Sequence, residues 1–412
     1  MISLADALAR YPQTLKPLPA ETIALEQALG RVLAQPVASK VDLPLFTQSA
    51  VDGYALRAAD AQMNLRLTGD IPAGCPATQG LKPGTAMRIL TGGALPEGAD
   101  TVARQEIVER TGDVIRLTKP VTVGADTRYR GEELKKGELI AEAGQRLHSG
   151  LLAALAMAGV SEVSVRRRPR IAVLVTGDEI VRVGSTLKPG QVYDANGPLM
   201  KSWFVEHGYA VPDIHYVPDR PDAVEQALKA ALDASDLIIS SGGVSVGDRD
   251  YLPQLAPKLG VQKIFWNVAQ KPGKPLWFGC RPAAQTTEEI SPGMAAPLHQ
   301  TAFMGLPGNP GAVLIGLAVH VSCVLGVLEG RTTSQPEWRA GILEAPVKAD
   351  AHRDRLVRMS LRYDESGRVM LKSLPRQDSH MLSNLAQAGA LVWLPARTND
   401  YAAGESVRWL EL

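Results

Sequence analysis

The sequence predicts a multidomain α/β protein, and three observations carry the prediction. Two β-branched runs, residues 171–180 (IAVLVTGDEI) and 237–251 (LIISSGGVSVGDRDY), each break into glycine and then acids, as parallel strands do when they deliver their loops to one crevice. Helical spacing fills the chain between them, so crossover helices and a doubly wound sheet are expected. To either side the texture changes to short apolar runs cut by glycine and proline, the signature of small β domains.

At 412 residues with 45% hydrophobic content, the chain exceeds one ordinary core and supports several packed domains. Residues 6–10 and 20–33 read as helical, the latter through Leu25, Leu29 and Leu33 around Gly30. From 41 to 123, Pro44, Gly53, Gly69, Pro72, Gly84 and Gly98 punctuate a mostly β module. The helical pattern returns at 149–159, where Ser149 precedes LLAALAMAG as an N-cap. The expected domains are therefore 1–44 with 130–168 (discontinuous, helical or linker), 45–129 (inserted, mainly β), 169–332 (α/β) and 333–412 (β).

Within the α/β domain, residues 203–211 and 222–232 fit crossover helices, the second with Val224, Ala227, Leu228 and Ala231 in helical spacing. Residues 311–328 carry no charged side chain and approach membrane-spanning length, but they follow Asn309-Pro310, a helix-starting pair. A buried core helix is the expectation. Residues 280–300, rich in Thr, Glu, Pro and Ala, are expected to form a mobile surface loop, and past Pro336 the alternation at 358–363 and 390–394 predicts a closing β domain.

A net charge of +1 provides no field to recruit nucleic acid or an acidic membrane. The run Arg166-Arg167-Arg168-Pro169-Arg170 reads as a solvated domain junction or a phosphate clamp. Cys75, Cys280 and Cys323 have neither disulfide nor zinc spacing, and the N-terminus lacks an apolar signal core, so a cytoplasmic location is expected.

The two glycine loops could cradle an anion with backbone N–H groups while Asp248 and Asp250 hold a hard cation; alternatively they are ordinary strand-to-helix turns. Lys271-Pro272-Gly273-Lys274-Pro275 places two lysines on a stiffened turn suited to an oxyanion, or simply joins two strands. The segment around Pro307, Asn309 and Pro310 should aim free N–H groups and a positive dipole end at an anion. No GxxxxGK[ST] pattern is present and no GxGxxG follows a strand, which argues against an ordinary NTPase and a nicotinamide enzyme.

Eight segments in order, SAVDGYAL, RILTGGALPEGADTV, RYRGEELKKGE, VLVTGDEI, VYDANGPLM, SSGGVSVGDRDY, KPGKPLWFG and GLPGNP, resemble the molybdopterin molybdenumtransferase family, the MoeA type that includes the gephyrin E domain. The resemblance implies a MogA-like α/β domain beside the discontinuous helical domain, the inserted β domain and a C-terminal β-barrel-like domain. The related adenylylating protein shares only the α/β domain, so the DGYAL and TGGALPEGAD module selects the insertase. The implied reaction is Mg²⁺-dependent cleavage of adenylylated molybdopterin, coupled to transfer of molybdate onto the dithiolene with release of AMP.

Carried over by resemblance, Asp52, Thr91, Glu179, Asp219 and Asp250 would be catalytic, with Glu179 and Asp250 as magnesium ligands. Gly242, Gly243, Ser245 and Asp248 would serve the phosphate, Lys271, Lys274, Arg358 and Ser379 the molybdate, and Pro307, Asn309, Pro310 and Arg128 further substrate contacts. Implied partners are a second copy in a homodimer, so that Asp52 would serve the partner's crevice, the adenylyltransferase, and molybdoenzyme acceptors. The chain departs from the family at Glu133, at Gly311-Ala312 and in an insertion at 286–296. A gephyrin-like non-catalytic scaffold or a molybdopterin-binding protein is the alternative.

Overall fold

The computed structural model describes residues 1–75, 79–244, 247, 250–283 and 299–412. Ser245, Asp248, the 286–296 insertion and most of the expected 280–300 loop lie outside the described residues. The chain divides into two compact units, Thr22–Val165 and the combination of Met1–Glu21 with Arg166–Leu412.

In the larger unit, a six-stranded sheet is ordered Asp213–Val217, Ile171–Thr176, Leu237–Ser241, Thr301–Leu306, Trp277–Arg281, Gln262–Trp266. The first four strands are parallel; the Trp277 strand runs antiparallel to both its neighbours. From the Ile171 strand the chain winds to the Asp213 strand on one side and returns to the Leu237 strand on the other. The carboxyl ends of these strands therefore flank a topological switch point.

Side-chain alternation divides the packing between two faces. Val173, Val175, Ile239 and Met304 meet Met200, Trp203 and Phe204 of the helix Asn196–Glu206, while Leu174, Ile238 and Phe303 meet Val224, Leu228 and Leu232 of the helix Pro221–Ala234. The first of these helices starts seven residues before the expected 203, because the Asp194 carboxylate accepts from the N–H groups of Asn196 and Gly197, both at 2.9 Å. It stops at Glu206 because Gly208 takes φ +81° and Tyr209 N–H closes back on the Phe204 carbonyl.

The apolar segment after Asn309 is one helix, Pro310–Leu328, and 83% of its apolar window is buried within the protein. Its middle, Gly316–Val321, is π-helical. The helix Leu4–Thr14 packs Leu4, Leu8 and Tyr11 into the same core, with Ser3 Oγ accepting from Asp6 N–H.

The arginine run stands at the boundary between the two units, as expected of a domain junction, with Arg170 exposed, and it also pairs with a buried acid. Asp236, fully buried at the start of the Leu237 strand, accepts from Arg167 at 2.9 Å and from the Arg170 backbone at 2.8 Å. Burial alone would raise its carboxyl, but the bonds from Arg167 and Arg170 outweigh that and hold it below its usual value.

The C-terminal strands close on themselves in the order Asp354–Tyr363, Val369–Ser373, Arg339–Leu343, Ser406–Glu411, Ala390–Leu394 and back to Asp354–Tyr363. Leu371, Val392 and Trp409 fill this barrel. Its rim annexes Gln270–Lys271 as a short parallel strand beside Asp354 and Arg355.

In the smaller unit, a six-stranded sheet runs Thr101–Arg104, Gly53–Leu56, Thr85–Ile89, Leu65–Ile71, Val114–Leu117, Val108–Thr111. Residues 20–33 are not helical: Ala20–Ala24 is a strand and only Leu25–Gln27 forms a 3₁₀ turn. The leucine spacing misleads, since Leu29 is 60% exposed and the Gly30 and Leu33 N–H groups bond to the carbonyls of Leu147 and Gln145. The helix Ser149–Met157 forms as expected, one residue out of register: His148, not Ser149, caps it.

Candidate active site

At the switch point of the larger unit lies a cleft of about 840 Å³, with Glu179, Asp219, Gly242, Gly243, Asp250, Asn309 and Pro310 among its lining residues. Both glycines are required by geometry. Gly242 and Gly243 have φ +92° and +70°, and an added Cβ would come within 2.9 and 3.1 Å of Thr176 Oγ1. Gly242 N–H donates to the Leu306 carbonyl at 3.0 Å, so this residue contributes clearance and curvature, not a phosphate bond.

The acids come from three loops. Glu179 is exposed and folds over Gly177, where a Cβ would sit 2.7 Å from its Oε1. Asp250 Oδ2 accepts from Gly247 N–H at 2.8 Å, and Asp219 N–H donates to Asp178 Oδ1 at 3.1 Å. Glu179 and Asp250 thus open onto the same hollow. Among the described residues no three His, Cys, Asp or Glu side chains form a metal-binding group.

Sequence reasoning gave no role to Asp194 and Asn196, although both stand in the quoted VYDANGPLM motif. Asp194 is buried and accepts from Tyr216 OH at 2.7 Å besides capping its own helix. Burial first, and then this bond, raise the Tyr216 pKa. Asn196 donates to Ser241 Oγ at 2.6 Å and to the Gly308 carbonyl at 2.7 Å, tying three cleft loops together. An aspartate and an asparagine just before Gly197 in a motif already singled out were the available signal.

The start of the long helix differs from expectation. Asn309 occupies the N-cap position, but its side chain donates to Ser379 Oγ at 2.9 Å instead of capping. Pro310 has no N–H, Gly311 N–H goes to the Ser379 carbonyl, and those of Ala312 and Val313 go to the Asn309 carbonyl. The dipole end faces the cleft, but its first N–H groups are already bonded. Pro307 does not line the cleft.

A second hollow of about 270 Å³ is lined by Lys271, Lys274, Arg353 and Ser379, and His380 lines both hollows. Both lysines are exposed. Arg358 does not line this hollow. It is 1% exposed and donates to the carbonyls of Arg376, Asp378 and Met381, bracing the loop that carries Ser379 and His380. A single arginine in an alternating strand gave no hint of its burial.

In the smaller unit, Thr91 donates to Asp52 Oδ1 through both N–H and Oγ1, each at 2.8 Å. These two bonds, the backbone one first, hold the Asp52 carboxyl below its usual value. Arg128 is exposed on the short strand Thr127–Arg128, opposite Gln48.

Three family descriptions match the chain: "MoeA N-terminal region (domain I and II)" over residues 2–159, "Probable molybdopterin binding domain" over 172–326, and "MoeA C-terminal region (domain IV)" over 340–412. The molybdopterin molybdenumtransferase of Haemophilus influenzae is 33% identical over 99% of this chain and 98% of its own length. That of a Nostoc species is also 33% identical, over 95% and 88%. A crystal structure of the molybdopterin biosynthesis MoeA protein of Pyrococcus horikoshii superposes with TM-score 0.81 at 25% identity, covering all of both chains; a second, at 27% identity, gives 0.79 over 99% of this chain and 98% of the other.

Proposed function

The chain belongs to the molybdopterin molybdenumtransferase family and acts in molybdenum cofactor biosynthesis; from that premise we propose that it cleaves adenylylated molybdopterin in its switch-point cleft and transfers molybdate to the dithiolene, releasing AMP. The supporting observation is one continuous arrangement: an acidic, glycine-lined cleft that meets a two-lysine hollow at His380. The phosphoanhydride and the oxyanion are both anionic: carboxylates can serve the first through a shared cation, and lysines can serve the second directly.

Gly243 and Asp250 border the space for the phosphates, while Asn196 keeps the loops of Ser241 and Gly308 in register. Mg²⁺ takes oxygen donors and is commonly shared between one or two carboxylates and substrate phosphates, a demand that Glu179 and Asp250 in one hollow fit. When bound it would neutralise charge developing on the phosphoryl oxygens. Asp219 is the proposed nucleotide or pterin contact. Lys271, Lys274 and Ser379 are the proposed molybdate contacts, and Arg358 braces the loop that carries Ser379. Asp52 and Thr91 act as an ionised, hydrogen-bonded pair in the site of a homodimer.

The deciding experiment incubates the purified protein with adenylylated molybdopterin, Mg²⁺ and molybdate, and measures AMP. Release that requires both ions supports the reading. Absence of release from well-folded protein overturns it.

A further inference from the structure

We propose that Tyr11, His320 and Gln270 form a buried positioning relay that sets the Lys271–Lys274 backbone for its oxyanion, an inference that rests on the functional reading above. Three polar side chains from distant segments meet inside an otherwise apolar core. Tyr11 and His320 are 0% exposed and Gln270 is 1% exposed. Tyr11 OH lies 2.8 Å from His320 Nδ1, His320 Nε2 lies 2.8 Å from Gln270 Oε1, and Gln270 Nε2 reaches the Gly273 carbonyl at 3.4 Å.

Only one set of proton positions satisfies all three contacts. The Gly273 carbonyl needs a donor, so the Gln270 amide nitrogen faces it and Oε1 faces the imidazole. Oε1 accepts only, so His320 carries its proton on Nε2, and Nδ1 accepts from Tyr11 O–H. Burial keeps that imidazole neutral, with its pKa pushed down to about 3. The relay therefore runs in one direction, from the N-terminal helix to the lysine turn.

At its far end the turn is built to receive it. Gly273 has φ +90°, and a Cβ there would stand 2.8 Å from Gln270 Nε2, so a side chain would break the contact. The Lys274 carbonyl accepts from Val268 and Leu276 N–H at 3.0 and 2.8 Å. Both lysine side chains stay exposed while the backbone between them is pinned from beneath. His320 belongs to the π-helical stretch Gly316–Val321, a distortion often found at functional sites. Burying three polar groups costs free energy unless all are paired, so a network this complete enforces one geometry.

The test uses the full chain and two probes, inorganic molybdate and AMP, titrated separately by calorimetry, with thermal melting of every variant. Gln270→Leu keeps the volume but removes both bonds; it should weaken molybdate about three- to tenfold, the worth of a neutral hydrogen bond, and leave AMP unchanged. Tyr11→Phe should shift molybdate in the same direction by less, and serves in place of Gln270→Leu if that variant does not fold. Equal weakening of both probes, or a lower melting temperature with unchanged molybdate affinity, overturns the relay as a positioning device. If wild-type protein binds no molybdate, the functional reading falls and the relay's purpose with it; if it does and the folded variants match it, the relay alone is refuted.

Discussion

Replacing Asn196 with alanine should loosen the cleft from one point. The side chain is 7% exposed and donates at 2.6 Å to Ser241 Oγ and at 2.7 Å to the Gly308 carbonyl, so Asn196→Ala deletes two neutral bonds between strand-end loops. At about 1 kcal/mol each, and with cleft water able to enter the vacated space, the loss is about 2 kcal/mol. Local opening should then increase about 30-fold, at 1.4 kcal/mol per factor of ten. Hydrogen exchange reads this directly at the Gly242 amide, which donates to the Leu306 carbonyl. Turnover should fall by about 10²-fold if the loops shift by about 1 Å. Asn196→Asp should be worse at neutral pH, since it turns an acceptor toward the Gly308 carbonyl and adds a second charge beside the Asp194 carboxylate. Unchanged exchange at Gly242 in Asn196→Ala, or an Asn196→Asp protein as stable as wild type, would refute the reasoning.

Glu179→Gln and Asp250→Asn should each cut AMP release by more than about tenfold, by removing charge at nearly constant volume; a fall in melting temperature that accounts for the lost activity would make them structural. Lys274→Ala should shift the molybdate titration of AMP release to higher concentration, and an unmoved curve would remove that lysine from the site. Gly311→Val should cost about 1–3 kcal/mol by overpacking, because a Cβ there meets Arg358 Nη1 at 2.6 Å and the Ser379 carbonyl at 2.8 Å; a stability within experimental error of wild type in urea melts would contradict it. Asp236→Asn should destabilise the protein at neutral pH by an amount that shrinks as pH falls. The Asp236 carboxyl is held low in the fold, so its stabilisation is complete above its unfolded value of about 3.9 and is lost as pH drops through the lower folded value. Urea melts from pH 7 to pH 3 with a constant difference would show that the Arg167 and Arg170 pairs contribute nothing as ions.

Gly311 has a structural reason in this chain. With no side chain it leaves room for the Ser379 carbonyl to approach the helix start, a contact with no sequence signature because its partners stand 68 residues apart. Residues 20–33 failed as a helix for a related reason: leucines spaced by four satisfy two geometries, and the carbonyls of Leu147 and Gln145 claimed the backbone donors. Arg358 and His320 were equally opaque, since burial of a polar side chain depends on partners the chain supplies from elsewhere.

Sequence alone determined the doubly wound sheet, the closing β domain, the buried apolar helix and the family, because alternation, helical spacing and short motifs are local properties of neighbouring residues. It also named the glycine loops and acids at the strand ends. Only the tertiary structure decided that Glu179 and Asp250 share one hollow, that His380 joins it to the lysine turn, and that Asn196, Arg358 and Gln270 hold those loops from behind. Each of those facts is a hydrogen bond or a shared volume between segments far apart in the chain, and no local pattern encodes which distant donor meets which acceptor.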